Sequence, residues 1–124
     1  MIRSKQRDLI YHALNLSESH PTAEEIYSAI HLEGESSLSL ATVYRNLNQL
    51  VDAGMIARVS IPGEADRYDA VNDGHLHMLC KKCGTVEDVP RTAIPDICLP
   101  ASDASGCDIT GFSLLFSGLC PNCK

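Results

Sequence analysis

Helical periodicity through the first half of the chain, a strand–turn–strand run after it, and two Cys-x-x-Cys pairs in the remainder predict an α+β protein. The first two observations describe an N-terminal winged helix-turn-helix, which is three helices followed by a β-hairpin. The third describes a small α/β domain of strands and turns closed by a structural zinc ion. At 124 residues the chain has room for one sizeable core or two small lobes. The expected boundaries are 1–71 for the winged helix, 72–74 for a hinge and 75–124 for the second domain. The run "VNDG", Val71 to Gly74, supplies turn chemistry at the join.

The first helix is expected near Lys5 to Asn15, capped by Ser4 and burying Leu9, Ile10, Ala13 and Leu14. "TAEEIYSAI" opens the second with a capping box, in which Thr22 and Glu25 each accept from the other's backbone N–H; Ile26 and Ile30 then share a face. "SLATVYRNLNQLVDAG" is the third helix. Its apolar stripe is Leu40, Val43, Leu47, Leu50 and Val51, with Ser39 to cap the start and Gly54 to end it. "MIARVSIPGEADRYDAV" reads as strand, Pro-Gly turn, strand. In the second half, "HLHML" and "TVEDV" flank the first cysteine pair, so that knuckle joins two strands. A short helix is placed in "RTAIPDICLPASDASG". "CDITGFSLLFSG" alternates Phe112, Leu114 and Phe116 on one face and is expected to form one long strand.

No run approaches the roughly 18 apolar residues of a membrane-spanning helix. The start, "MIRSKQRDLI", has charge but neither an apolar run nor a small-residue cleavage site, so a cytoplasmic location is expected. In a reducing compartment, paired Cys-x-x-Cys motifs favour metal over disulfide. The net charge of −6 argues against nucleic-acid binding by bulk charge and leaves room for a local basic surface.

Each Cys-x-x-Cys loop places two sulfurs on one side of a tight turn. Cys80 with Cys83, and Cys120 with Cys123, therefore supply the four corners of a closed tetrahedral zinc site. A redox pair is the alternative, but such pairs open a helix within a βαβ unit, and neither pair here has that setting. Cys98 and Cys107 have no partner motif and are expected to be small core residues. In a strand, His75 and His77 point to the same face and offer a metal edge. Asp69 at the end of the hairpin, Asp88 on the strand after the knuckle, and His20 before the second helix are each weak alone, since a single aspartate is usually solvated. Together the five give three nitrogens and two carboxylates, a set that suits iron, manganese or zinc and contains no thiolate.

On the third helix Arg45 and Asn48 lie opposite the apolar stripe. Thr42 and Gln49 flank that outer face, and Tyr44 sits near its edge. Arginine and asparagine match guanine and adenine edges, and tyrosine suits a phosphate or a thymine methyl. An ordinary solvated helix face is the alternative.

The runs "HPTAEEIY", "SLATVYRNLNQLVDAG", "RYD", "HLHMLCKKCG" and "GLCPNC", in this order and over nearly the whole chain, resemble the ferric uptake regulator family. The resemblance implies a homodimeric metal-responsive repressor, not an enzyme, that binds a double-stranded DNA operator with an inverted repeat. It implies a second domain that dimerises, structural zinc on Cys80, Cys83, Cys120 and Cys123, and a regulatory iron or manganese site of His20, Asp69, His75, His77 and Asp88. By analogy, Arg3 and Lys5 are expected to reach a groove or phosphate. Aspartate at position 88 resembles the peroxide-sensing branch, which works by iron-catalysed oxidation of a ligand histidine; His20 and His75 are the candidates. A plain iron sensor is the alternative. From other classes, a zinc deaminase would need H-x-E where "HLH" stands, and a zinc-ribbon interaction module would need neither the winged helix nor the histidines.

Overall fold

The structure, a computed structural model, describes residues 5–17, 20–32, 34 and 38–124. Arg3 and the expected cap Ser4 lie outside these. The chain divides into two compact units, Met1–Asp73 and Gly74–Lys124.

The first unit begins with helices α1 (Lys5–Leu16), α2 (Ala23–Leu32) and α3 (Leu40–Asp52), followed by strands β1 (Ala57–Val59) and β2 (Arg67–Asp69). The capping box at α2 is formed: the Glu25 N–H donates to Thr22 Oγ1 at 3.2 Å, and the Thr22 N–H to Glu25 Oε1 at 3.0 Å. Ser39 caps α3 by accepting from the Thr42 N–H at 3.1 Å. The helix ends where Gly54 takes a φ of 75°, which lets its N–H reach Val51 O and that of Met55 reach Leu50 O. Val43, Leu47 and Leu50 are buried as the stripe requires, and they pack with Ile10, Leu14, Ile26, Ile30, Leu38, Ile56 and Tyr68. Leu40 and Val51 sit half-buried at the stripe's edges. Asn46 is also in the buried face; its Nδ2 donates to Thr42 O at 2.8 Å, which satisfies part of its polar head inside the helix.

β1 and β2 pair antiparallel, Arg58 opposite Tyr68 and Ala57 opposite Asp69. The residues ahead of α2 run beside this hairpin: Thr22 bridges Arg67, and the Tyr68 N–H donates to Pro21 O at 2.9 Å. That pairing fixes His20 next to the end of β2.

The second unit is a three-stranded sheet in the order β4-β3-β5, from β3 (Leu76–Cys80), β4 (Val86–Val89) and β5 (Leu115–Gly118), with a 3-10 turn (Arg91–Ala93) and helix α4 (Cys98–Ser105) between the last two. β3 and β4 are antiparallel and β3 and β5 parallel. Two expectations are corrected here. The long strand spans only Leu115–Gly118, because β3 offers a ladder for just those four residues; Phe112 and Leu114 remain over a third exposed. Cys98 and Cys107 are not core residues. Cys98 is half-buried in the first turn of α4, and Cys107 is exposed just beyond the Gly106 cap that ends this helix.

Candidate functional site

The strongest chemical feature of the second unit is a cluster of sulfurs. Cys80 ends β3, and Gly84, at φ 79°, turns the chain back so that the Cys80 N–H donates to Thr85 O and the Gly84 N–H to Cys80 O, both at 2.9 Å. The tail joins this knuckle through β5: the Lys81 N–H donates to Gly118 O at 2.8 Å, and the Cys123 N–H closes its own turn on Cys120 O at 3.0 Å. All four sulfurs lie within 4.8 Å of one another, and those of Cys83 and Cys120 are 3.7 Å apart. Cys80 and Cys120 are buried.

Electrostatics splits the four thiols. The backbone N–H of Cys83, then that of Cys120, point at the Cys80 sulfur and bring its pKa down to about 6. The Thr85 hydroxyl, 3.0 Å from Cys83 Sγ, lowers that thiol as well. Cys123 is pushed up to about 12, first by its contact with the Cys120 sulfur and then by burial. Negative charge is thus favoured at Cys80 and Cys83 and disfavoured at Cys123. A thiophilic dication is the group that fits: four sulfur donors within 4.8 Å of one another, with no nitrogen or oxygen ligand required, match structural zinc. Thr85 was not singled out by sequence; its place directly after the Cys-x-x-Cys-Gly turn was the available signal.

Nitrogen and oxygen donors form a second kind of feature, present in both units. In the first, His20 Nε2 lies 3.1 Å from Asp69 Oδ2, and both side chains are about nine-tenths buried. Asp69 is held by its other oxygen, which accepts from the Val71 N–H at 2.9 Å. The His20 carbonyl accepts from Arg67 Nη1 at 3.1 Å, which ties the segment to β2. In the second unit, His75 precedes β3 and His77 lies on it, opposite Asp88 of β4. Their rings share one face, edge to face at 4.6 Å between centroids. Asp88 Oδ1 lies 3.2 Å from His75 Nε2 and 3.6 Å from His77 Nε2. A carboxylate facing imidazole nitrogens across a strand pair can accept their protons in hydrogen bonds or share a hard or borderline cation with them.

The outer face of α3 exposes Tyr44, Arg45 and Asn48. Thr42 is half-buried, with its hydroxyl 2.9 Å from Ser39 Oγ at the helix cap. Arg58 of β1 also reaches this face and bonds Asn48; sequence reasoning missed it, since a strand arginine beside a turn is ordinarily solvated.

A winged helix joined to a four-sulfur cluster, with histidine–aspartate donors in each unit, defines a metal-responsive winged-helix protein. The model of the ferric uptake regulator family matches residues 1–117, and the chain belongs to that family. The peroxide-responsive repressor PerR of Staphylococcus epidermidis is 32% identical over 119 residues, covering 96% of this chain and 79% of the relative. Among solved structures, the ferric uptake regulator from Francisella tularensis with iron superposes with a TM-score of 0.79 at 26% identity, covering 99% of this chain and 94% of that one. The Campylobacter jejuni peroxide stress regulator gives 0.74 at 29% identity, covering 95% and 88%.

Proposed function

We propose that this protein is a metal-dependent, DNA-binding transcriptional repressor, not an enzyme, that senses peroxide through oxidation of a regulatory histidine. It works as a homodimer on a double-stranded operator with an inverted repeat. The observation that carries the reading is the segregation of donors within a chain of this family: four sulfurs in one cluster, and only imidazoles and carboxylates at His20, Asp69, His75, His77 and Asp88. Cys80, Cys83, Cys120 and Cys123 would hold zinc that is structural. The five histidines and aspartates would hold iron or manganese, which prefer nitrogen and oxygen to sulfur. Tyr44, Arg45, Asn48 and Thr42 on α3 would contact the operator, with Arg3 reaching from the N-terminal segment. Residues 72–74 would act as the hinge between the domains 1–71 and 75–124.

When bound, iron(II) would supply the one-electron chemistry that activates peroxide beside an imidazole, which manganese(II) supplies poorly, while the imidazole itself gives up the two electrons that reduce the peroxide. His20 and His75 would be the rings that take up the oxygen. The ring carbon gains one oxygen atom, and the peroxide's other oxygen leaves as water. An oxidised ring is a poor ligand, so these residues would no longer hold the regulatory ion. DNA is released with it, because an ion that binds one form of the protein better biases it only while bound. Relatives named as a peroxide-responsive repressor and a peroxide operon regulator, together with aspartate at position 88, support peroxide as the signal. The iron-sensing alternative draws on the likeness to the Francisella tularensis regulator with iron.

The test uses a duplex selected from a random library by the manganese-loaded protein. The iron-loaded protein should release it after limited peroxide, and the manganese-loaded protein should keep it. Mass spectrometry should find one added oxygen on His20 or His75, with the four zinc cysteines unmodified. Oxidation confined to cysteines, or equal loss of DNA from the manganese form, would rule out the histidine sensor. Release on iron removal, with the iron-loaded protein keeping both its DNA and its unmodified histidines after peroxide, would establish the iron-sensing alternative.

A further inference from the structure

Asn48 and Gln49 are adjacent carboxamides on the exposed face of α3, and each is gripped by an arginine from another element. Arg58 of β1 donates from Nη2 to Asn48 Oδ1, and Arg7 of α1 donates from Nη2 to Gln49 Oε1. A guanidinium has donors only, so each amide must turn its oxygen toward the arginine and its NH2 group away. Arg58 is fixed on other sides too. Its Nε lies 3.6 Å from Asp66 Oδ2, and it hydrogen-bonds the hydroxyl of Tyr68, a residue buried in the core.

We infer that Arg58 is a specificity-determining positioning residue, which orients the Asn48 carboxamide so that its NH2 group faces the acceptor edge of a guanine. The inference rests on the DNA-binding reading above. A freely turning asparagine favours adenine, accepting from N6 and donating to N7. Here the oxygen is engaged by a charged donor, a bond roughly twice as strong as one between neutral groups. The remaining donors then match the N7 and O6 acceptors that guanine presents in the major groove. Asp66 already balances the Arg58 charge, and Tyr68 and Asn48 occupy other donors. These contacts suit a residue that holds a neighbour in place more than one that grips a phosphate.

The experiment uses the manganese-loaded full chain and the duplex it selects from a random library. Binding is measured to every single-base-pair variant of that duplex at two salt concentrations. Asn48→Ala identifies the position that Asn48 reads. There the wild type should prefer guanine over adenine by roughly fivefold or more. Arg58→Gln should abolish or invert that preference at the same position only, with an unchanged salt dependence, and should add nothing to the loss in Asn48→Ala. Melting and zinc content check the fold. If Arg58→Gln melts below the assay temperature, Arg58→Met, which keeps the apolar stem, is read in its place with the same expectation. An intact guanine preference in the Arg58 variant would overturn the inference. So would an adenine preference in the wild type at the Asn48 position, or a loss spread evenly over all variants with the salt slope shallower by about one, the mark of a phosphate contact. Failure of the wild type to select any duplex would instead overturn the DNA-binding reading, and this inference with it.

Discussion

Arg45 is exposed one position before the buried Asn46, so its stem contributes little to the core and its head is available to a ligand. Arg45→Ala should therefore weaken binding to the selected duplex by about 1–3 kcal/mol, the value of a base contact, while zinc content and melting stay unchanged. Equal affinity for all sequences in both proteins would move the reading surface elsewhere. The sequence made this residue legible because an exposed position on an amphipathic helix follows from spacing alone. The same spacing gave the capping residues Thr22, Glu25 and Ser39. It failed at Asn46, which fills a stripe position that apolar residues normally take; its amide is satisfied by the Thr42 carbonyl one turn back, and a hydrogen bond to the helix's own backbone leaves no mark in composition. It failed at Arg58 for a different reason. Its partners Asn48, Asp66 and Tyr68 come together only when the hairpin folds over α3, and nothing local announces that. Cys98 and Cys107 were misplaced because a thiol without a motif is usually buried, whereas here they bracket a surface helix.

Among elements, α3 carries both duties of the first unit: its inner face is core and its outer face is the candidate DNA surface. Leu47 is fully buried among α1, α2 and the hairpin residues. Leu47→Ala should cost about 2–5 kcal/mol of stability, depending on how far the neighbours close the gap. Chemical denaturation should register that loss, and a cost below about 1 kcal/mol would mean that the helix is not anchored there. β5 shows the opposite limit of legibility. Alternation of Phe112, Leu114 and Phe116 describes which way side chains would point in a strand, but a strand also needs a ladder. β3 ends its pairing with β5 at the four residues Leu115 to Gly118, so the pattern overstated the element. The two histidines were read correctly as sharing one face because the period of two depends on backbone geometry alone. Asp88 could be placed opposite His77 only once the register of β3 and β4 was known.

At the scale of the whole molecule, the two units are stabilised by different means. The first has a continuous apolar core. The second has few buried apolar residues, among them Leu76 and Val86, and its other buried side chains include the sulfurs of Cys80 and Cys120. A small lobe with so little core depends on a staple, and the free energy of zinc binding becomes folding free energy. Cys120→Ser should therefore yield a chain whose second unit exchanges its amide hydrogens freely and that fails to dimerise, while the helices of the first unit stay protected. A zinc-free variant with a protected β3 would contradict this. The arrangement also orders events in time. Cys83 and Cys120 are separated by 37 residues, and a ribosome adds about 5–20 residues each second. Every nascent copy must therefore carry half of its metal site for a few seconds before the matching sulfurs are made. All strands and helices of the first unit have by then been synthesised, so the DNA-binding fold can form before β5 exists. A cell short of zinc would consequently accumulate chains that are finished at one end and open at the other, with the sulfur cluster unbridged. Such chains would be targets for proteolysis, and the amount of working protein would follow zinc supply during synthesis as well as the signal sensed afterwards.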